Sequence, residues 1–182
     1  MFCPVCKNIE LSKREIEPNL WASACENCRG RWLTSIDYNN WLKSRENLAV
    51  VPSKKIKITM PEFELARLCP ECKRILVKYK VGQNIPFLID RCGNCAGIWL
   101  DKGEWETLKR RNLHEDLHEI FTDHWQEEVK KGETRAHLTK MYEEKFGKED
   151  YTKIVKFKEW MENHDKEDEI LAYIRDPNPL QF

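Results

Sequence analysis

Four Cys-x-x-Cys pairs, with no cysteine outside them, constrain this chain more than any other feature it carries. They fall into two matched units. Cys3-Pro4-Val5-Cys6 is answered by Cys25-Glu26-Asn27-Cys28 after eighteen residues, and Cys69-Pro70-Glu71-Cys72 by Cys92-Gly93-Asn94-Cys95 after nineteen. Both spacings fit the pattern of two knuckle turns sharing one zinc ion. The reason is geometric. Each turn presents two thiolates, and tetrahedral Zn²⁺ takes four at about 2.3 Å. The residues between the pairs must leave one turn and return to the other, which a two-stranded hairpin does. In the second unit Ile75–Val77 and Ile85–Ile89 read as the strands, with Val81–Asn84 as the turn; in the first, Glu17-Pro18-Asn19 is the turn.

The candidate metal ligands are therefore Cys3, Cys6, Cys25 and Cys28 for one site and Cys69, Cys72, Cys92 and Cys95 for the other, with two Zn²⁺ per chain. A closed set of four thiolates is a structural site, whereas catalytic zinc keeps an open position and three protein ligands. Iron suits four thiolates as well on ligand softness. A thioredoxin-type redox pair needs a βαβ pattern that surrounds none of the four pairs. An isolated hairpin is marginal in water, so metal is expected to supply most of the folding energy. The fold class expected is a small metal-stabilised α+β: two Cys₄ zinc ribbons followed by an α-helical C-terminal region.

The units repeat beyond their cysteines. Cys25–Leu42 and Cys92–Leu108 align at Asn27 and Asn94, Gly30 and Gly97, Trp32 and Trp99, Leu33 and Leu100. Asp101, three residues before Glu104, reads as the first residue of a capping box, so each metal turn runs directly into a helix start; Thr34 and Asp37 stand at the same places in the first unit. The repeated Trp reads either as a docking anchor or as the cover of its own zinc site, and small domains rarely spare a tryptophan from the core.

These units, Cys-Pro-x-Cys followed by Cys-x-Asn-Cys-x-Gly-x-Trp-Leu, resemble the transcription-factor-IIB-type zinc ribbons common in small bacterial proteins. The run Cys92–Glu104 carries the resemblance most closely. It implies that all eight cysteines are zinc ligands, with no activity assigned. The first unit departs at Arg31, where the second has Ile98, and at Ser35-Ile36-Asp37, where the second has Lys102-Gly103-Glu104. The tail, from Glu144-Lys145-Phe146-Gly147 to Leu171-Ala172-Tyr173-Ile174, resembles the tail of some of these proteins more loosely.

Charge is uneven over the 182 residues. Residues 1–60 hold ten Lys/Arg against six Asp/Glu, residues 61–111 ten against seven, and residues 112–182 eleven against eighteen. The net +7 of residues 1–111 drops to +3 once two tetrathiolate zincs of −2 each are counted, a small field for nucleic acid. No apolar stretch approaches membrane-spanning length, and Met1-Phe2-Cys3-Pro4 is already motif rather than signal region. Paired cysteines without export point to a reducing cytoplasm.

The organisation expected is ribbon 1 at 1–44, a linker at 45–66, ribbon 2 at 67–111 and an acidic helical region at 112–182. In the linker, Asn47–Pro52 is apolar and Lys54–Thr59 alternates like an exposed strand. In the tail, Trp105, Leu108, Leu113, Leu117, Phe121, Trp125 and Val129 suggest one long helix from Asp101 that stops at Gly132. Shorter helices are expected at about 134–146, from about 150, and at 170–174. Such amphipathic pieces must pack on the ribbons, on each other, on a protein partner, or on a second chain in a homodimer.

His114-Glu115-Asp116-Leu117-His118 is a literal His-Glu-x-x-His, which on a helix places two imidazoles on one face to bind zinc beside a general base. Charged Asp116 and Glu119 and the lack of an obvious third ligand speak for a solvated helix face instead. Two function classes follow: a non-enzymatic zinc-ribbon adaptor that binds a protein, such as the transcription machinery, or weakly binds nucleic acid; and a zinc hydrolase built on His114 and His118.

Overall fold

The computed structural model describes residues 1–45, 66–82 and 85–179; the two linker readings at 47–52 and 54–59 lie outside them. The chain divides into two compact units, Met1–Lys130 and Lys131–Phe182.

The first unit is built on one six-stranded antiparallel sheet. Ribbon 1 supplies β1 (Ser12–Glu17), β2 (Leu20–Ala24) and β3 (Arg31–Leu33), followed by α1 (Ser35–Arg45). Ribbon 2 supplies β4 (Leu76–Lys80), β5 (Leu88–Cys92) and β6 (Ile98–Leu100), followed by α2 (Glu104–Arg110). The strand order is β1-β2-β3-β6-β5-β4. The two ribbons, expected as separate pieces on a linker, therefore meet edge to edge at β3 and β6. Trp32 stands opposite Trp99, Arg31 opposite Leu100 and Leu33 opposite Ile98. Repeat-equivalent residues pair across the middle, as in a two-fold interface, but within one chain. Two strand edges that would be open in isolated ribbons are closed by this pairing.

Local chemistry explains most elements. The β1–β2 turn falls at Pro18-Asn19, with Asn19 in the left-handed region (φ 65°), which Asn tolerates. The second hairpin lies further along than the apolar runs suggest: its strands are 76–80 and 88–92, not 75–77 and 85–89. Lys78 stands directly opposite Asp90 and pairs with it at 3.0 Å, so the ladder extends past the apolar runs into polar residues. At the start of α1, Asp37 N–H donates to Thr34 Oγ1 (3.0 Å) and the Thr34 hydroxyl donates to the Asp37 carboxylate (2.8 Å). At the start of α2 only half of the expected box forms: Asp101 N–H donates to Glu104 Oε2 (2.8 Å). The Asp101 carboxylate instead accepts from Trp99 Nε1 (2.9 Å) and Arg67 (2.7 Å).

The single long helix expected from Asp101 is broken. α2 ends at Arg110, with Asn112 left-handed (φ 56°); α3 is one turn, Leu117–Ile120; and α4 then runs Asp123–Phe146, straight through Gly132. Breaking the chain lets Leu117, Ile120 and Phe121 point into the core while Leu113 and Trp125 pack at its edge, which one straight helix would not allow. A lone Gly costs a helix only about 1 kcal/mol, so Gly132 does not stop α4. Gly147 does end it, at φ 80°. The core includes Leu20, Leu33, Tyr38, Trp41, Ile89, Leu100, Trp105 and Leu108 from both ribbons. The segment 111–130 thus belongs to the ribbon unit. The second unit holds the rest of α4, α5 (Lys148–Glu162) and α6 (Glu167–Arg175).

Candidate metal centre

All eight predicted ligands gather as two four-cysteine groups, Cys3/Cys6/Cys25/Cys28 and Cys69/Cys72/Cys92/Cys95, with all Sγ atoms of a group within 4.8 Å of one another. Close pairs are Cys3–Cys28 at 3.6 Å and Cys6–Cys25 at 3.8 Å in the first, Cys69–Cys95 at 3.6 Å and Cys72–Cys92 at 3.4 Å in the second. Zn–S bonds of about 2.3 Å make a tetrahedron with edges of about 3.8 Å, so the ion fits. These separations are well beyond the about 2.05 Å of a disulfide.

The knuckles are prepared for thiolates. Cys6 N–H donates to Cys3 Sγ (3.3 Å), Cys72 N–H to Cys69 Sγ (3.4 Å) and Asn94 N–H to Cys92 Sγ (3.4 Å), while the Asn27 amide donates to Cys6 Sγ (3.3 Å). Against desolvation, which raises it, donors from Cys28 and Asn27 and the neighbouring thiols bring the Cys25 thiol down to about 7. Cys92 falls to about 7 in the same way, through Cys95 and Asn94. Burial pushes Cys3, Cys28, Cys69 and Cys95 up. Four sulfurs crowded into one partly buried site cannot all ionise without a cation among them, and a divalent ion supplies it.

Each tryptophan also reaches across to the opposite ribbon. A Cβ placed on Gly30 would lie 2.1 Å from Trp99 Cζ2, and one on Gly97 would lie 2.2 Å from Trp32 Cζ2. Each indole therefore lies flush on the glycine of the opposite ribbon. Both are fully buried in one cluster with Cys3, Cys25, Cys69 and Cys92. The repeated Gly-x-Trp spacing was the available signal, since a glycine two residues from a buried indole marks a close approach.

Sequence reasoning missed a buried charge knot between the ribbons. The Glu17 carboxylate at the end of β1 accepts from Trp105 Nε1 (3.2 Å) and pairs with Lys109 and Arg45. Arg45 also holds Glu115 at 2.6 Å. In ribbon 2, Arg67 bridges Asp90 (2.9 Å) and Asp101 (2.7 Å).

The His-Glu-x-x-His string does not form the helix its chemistry requires. His114 and Glu115 precede the one-turn α3 and only His118 lies within it. His114 is buried between Trp41 and Trp105, with centroids 5.7 and 5.8 Å away. His118 is engaged with Asn39 Oδ1 at 2.6 Å. The strap is fixed to α1 through its backbone: the Tyr38 hydroxyl donates to the His114 carbonyl (2.9 Å) and accepts from Leu117 N–H (3.2 Å). Burial lowers the His114 pKa; the Glu17 and Glu115 charges oppose that shift and those of Arg45 and Lys109 add to it. A base depressed in the folded state binds protons more readily when unfolded. Stability is therefore retained above the unfolded value of 6.5 and lost as pH falls below it. Urea midpoints measured from pH 7.5 to 5.5 at constant bound zinc are expected to fall for the wild type and to fall less for His114→Phe; parallel slopes would refute this.

Among the described residues no helix is long and apolar enough to cross a membrane. Compared with known proteins, residues 2–44 and 68–111 match the family described as transcription factor zinc-finger, a TFIIB-type zinc ribbon. Neither the curated proteins nor the solved structures compared contain a match.

Proposed function

We propose, from the match of residues 2–44 and 68–111 to the transcription factor zinc-finger family, that this zinc-binding chain is a non-enzymatic adaptor, with an N-terminal double ribbon and a C-terminal helical unit that docks on protein. The observation that carries this reading is the state of residues 131–182. Among its described residues only Met161 is buried, while Leu138, Met141, Phe146, Ile154, Phe157 and Trp160 stand 41–52% exposed. Leu138, Met141, Tyr142 and Phe146 follow helical spacing along α4, and a groove of about 460 Å³ between α4 and α5 is lined by Tyr142, Phe146, Tyr151, Ile154 and Val155. Helices with so little buried surface are marginal in water alone. Apolar stripes on them fit a helix-in-groove contact, with another protein or with the same helices of a second chain. Around the first knuckle Arg14 is engaged with Glu26 and Arg31 with Glu106, which supports at most weak, salt-sensitive nucleic-acid binding. A cytoplasmic setting, where thiols stay reduced, suits the two sites.

The test compares the wild-type chain with Phe157→Asp/Trp160→Asp, both as bait in the native host and by sizing. The double variant should retain two zinc ions and lose the bound protein or the dimer. A complex indifferent to the double change would sink the docking assignment. A third zinc, released by His118→Ala together with a peptidase activity, would favour the hydrolase.

A further inference from the structure

We propose that the two zinc sites load as one cooperative unit, so that the first ion bound raises the affinity for the second. The inference rests on the zinc reading of the two four-cysteine groups and goes beyond it. Each knuckle, closed by its own ribbon, also seats an indole of the other. In ribbon 1 Cys25 N–H donates to the Gly30 carbonyl (2.8 Å), closing the knuckle that carries Cys25 and Cys28, and the far side of Gly30 is the seat of Trp99. In ribbon 2 Cys92 N–H donates to the Gly97 carbonyl (2.9 Å), and Gly97 seats Trp32. The path from a ligand of one site to an indole of the other ribbon is short and runs both ways: Cys25, Gly30, Trp99 and Cys92, Gly97, Trp32.

Three further contacts tighten it. The Ser35 hydroxyl at the start of α1 donates to the carbonyl of Cys95, a ligand of the opposite site (3.2 Å). The β3–β6 ladder sets Trp32 against Trp99, so neither indole reaches its glycine unless both strands are in place. Both tryptophans and ligands from both sites form one buried cluster, not two. A knuckle without metal is largely unfolded, because ligand binding and folding are the same event in such sites. An empty ribbon 2 therefore presents no ordered Trp99 to ribbon 1, whose binding must then order the chain unaided. Binding free energy that orders a shared element is recovered by the second ion, which is positive coupling. The consequence is a double ribbon that loads over a narrower range of zinc concentration than two independent sites would.

The experiment is a zinc titration of the reduced, metal-free full chain, followed by native mass spectrometry. At one zinc per chain, independent equal sites leave about half of the chains carrying a single ion; coupling at the modest end of the usual range, about fivefold or more, shifts the population toward empty and doubly loaded chains. The same coupling should lower zinc affinity at the first site by at least about fivefold in Cys69→Ser/Cys72→Ser, read against a competing chelator. Trp32→Leu/Trp99→Leu keeps all eight ligands and should raise the singly loaded fraction. A wild-type chain that passes through a singly loaded form at or above the statistical share overturns the proposal, whatever the variants do. A total other than two ions per chain fails the zinc reading itself, so the two failures are distinguishable.

Discussion

Removing zinc will dismantle residues 1–130. A structural zinc site contributes on the order of 10 kcal/mol of folding free energy, comparable to the whole net stability of a domain, and this unit has two such sites. Four of the seven tryptophans, Trp32, Trp41, Trp99 and Trp105, are fully buried in this unit, so near-UV circular dichroism and indole fluorescence report on it directly. Chelation under reducing conditions should abolish the near-UV signal and shift fluorescence to the red, and stoichiometric Zn²⁺ should restore both. Cys95→Ser should release at least one ion and produce a similar collapse. The effect has a defined pH sign. Protons compete with metal for the thiolates, so zinc should be held at neutral pH and released as pH falls. A chain stripped of metal that kept its near-UV spectrum would show that the hydrophobic core, not the metal, maintains the fold.

The next largest effect is expected at a glycine. Gly30→Val places carbon where the Trp99 indole already lies, 2.1 Å from Cζ2 at the first atom. The Gly30 φ lies outside the left-handed region, so the backbone tolerates a side chain there and the indole is what excludes it. Trp99 is fully buried and cannot swing aside. Overpacking usually costs about 1–3 kcal/mol. With the ribbon pairing and a metal knuckle both dependent on this contact, the loss should reach at least the top of that range. Gly93→Ala is the control, since nothing lies within 4 Å of its Cβ position. Urea midpoints should fall steeply for Gly30→Val and barely move for Gly93→Ala; similar midpoints for the two would mean that the indole has room to yield.

Some features were readable from the chain because they are local. Ligand spacing is set by covalent geometry, so the eight cysteines and their division into two sites follow from counting. The Pro18-Asn19 turn, the Thr34–Asp37 cap and the Gly147 stop depend on residues within a few positions of one another, and each is found where its chemistry placed it. The family match over both ribbons agrees with this local reading. Long-range burial decided the rest. Nothing near Trp99 in the chain says that its indole will lie on Gly30 of the other ribbon, because that depends on β3 pairing with β6. Nothing near His114 says that a metalloprotease-like string will be broken and packed between Trp41 and Trp105. Periodicity predicted one helix from Asp101 to Gly132, since Leu113, Leu117, Phe121 and Trp125 recur at helical intervals. The chain breaks instead at Asn112, and these side chains pack on a core that both ribbons supply. The sequence by itself determined the metal ligands, the knuckles and the α1 cap, where each interaction closes over a short loop. Only the tertiary structure decided that two ribbons become one sheet, because pairing two strand edges and seating two indoles removes more polar backbone and apolar surface from water than either ribbon could bury alone.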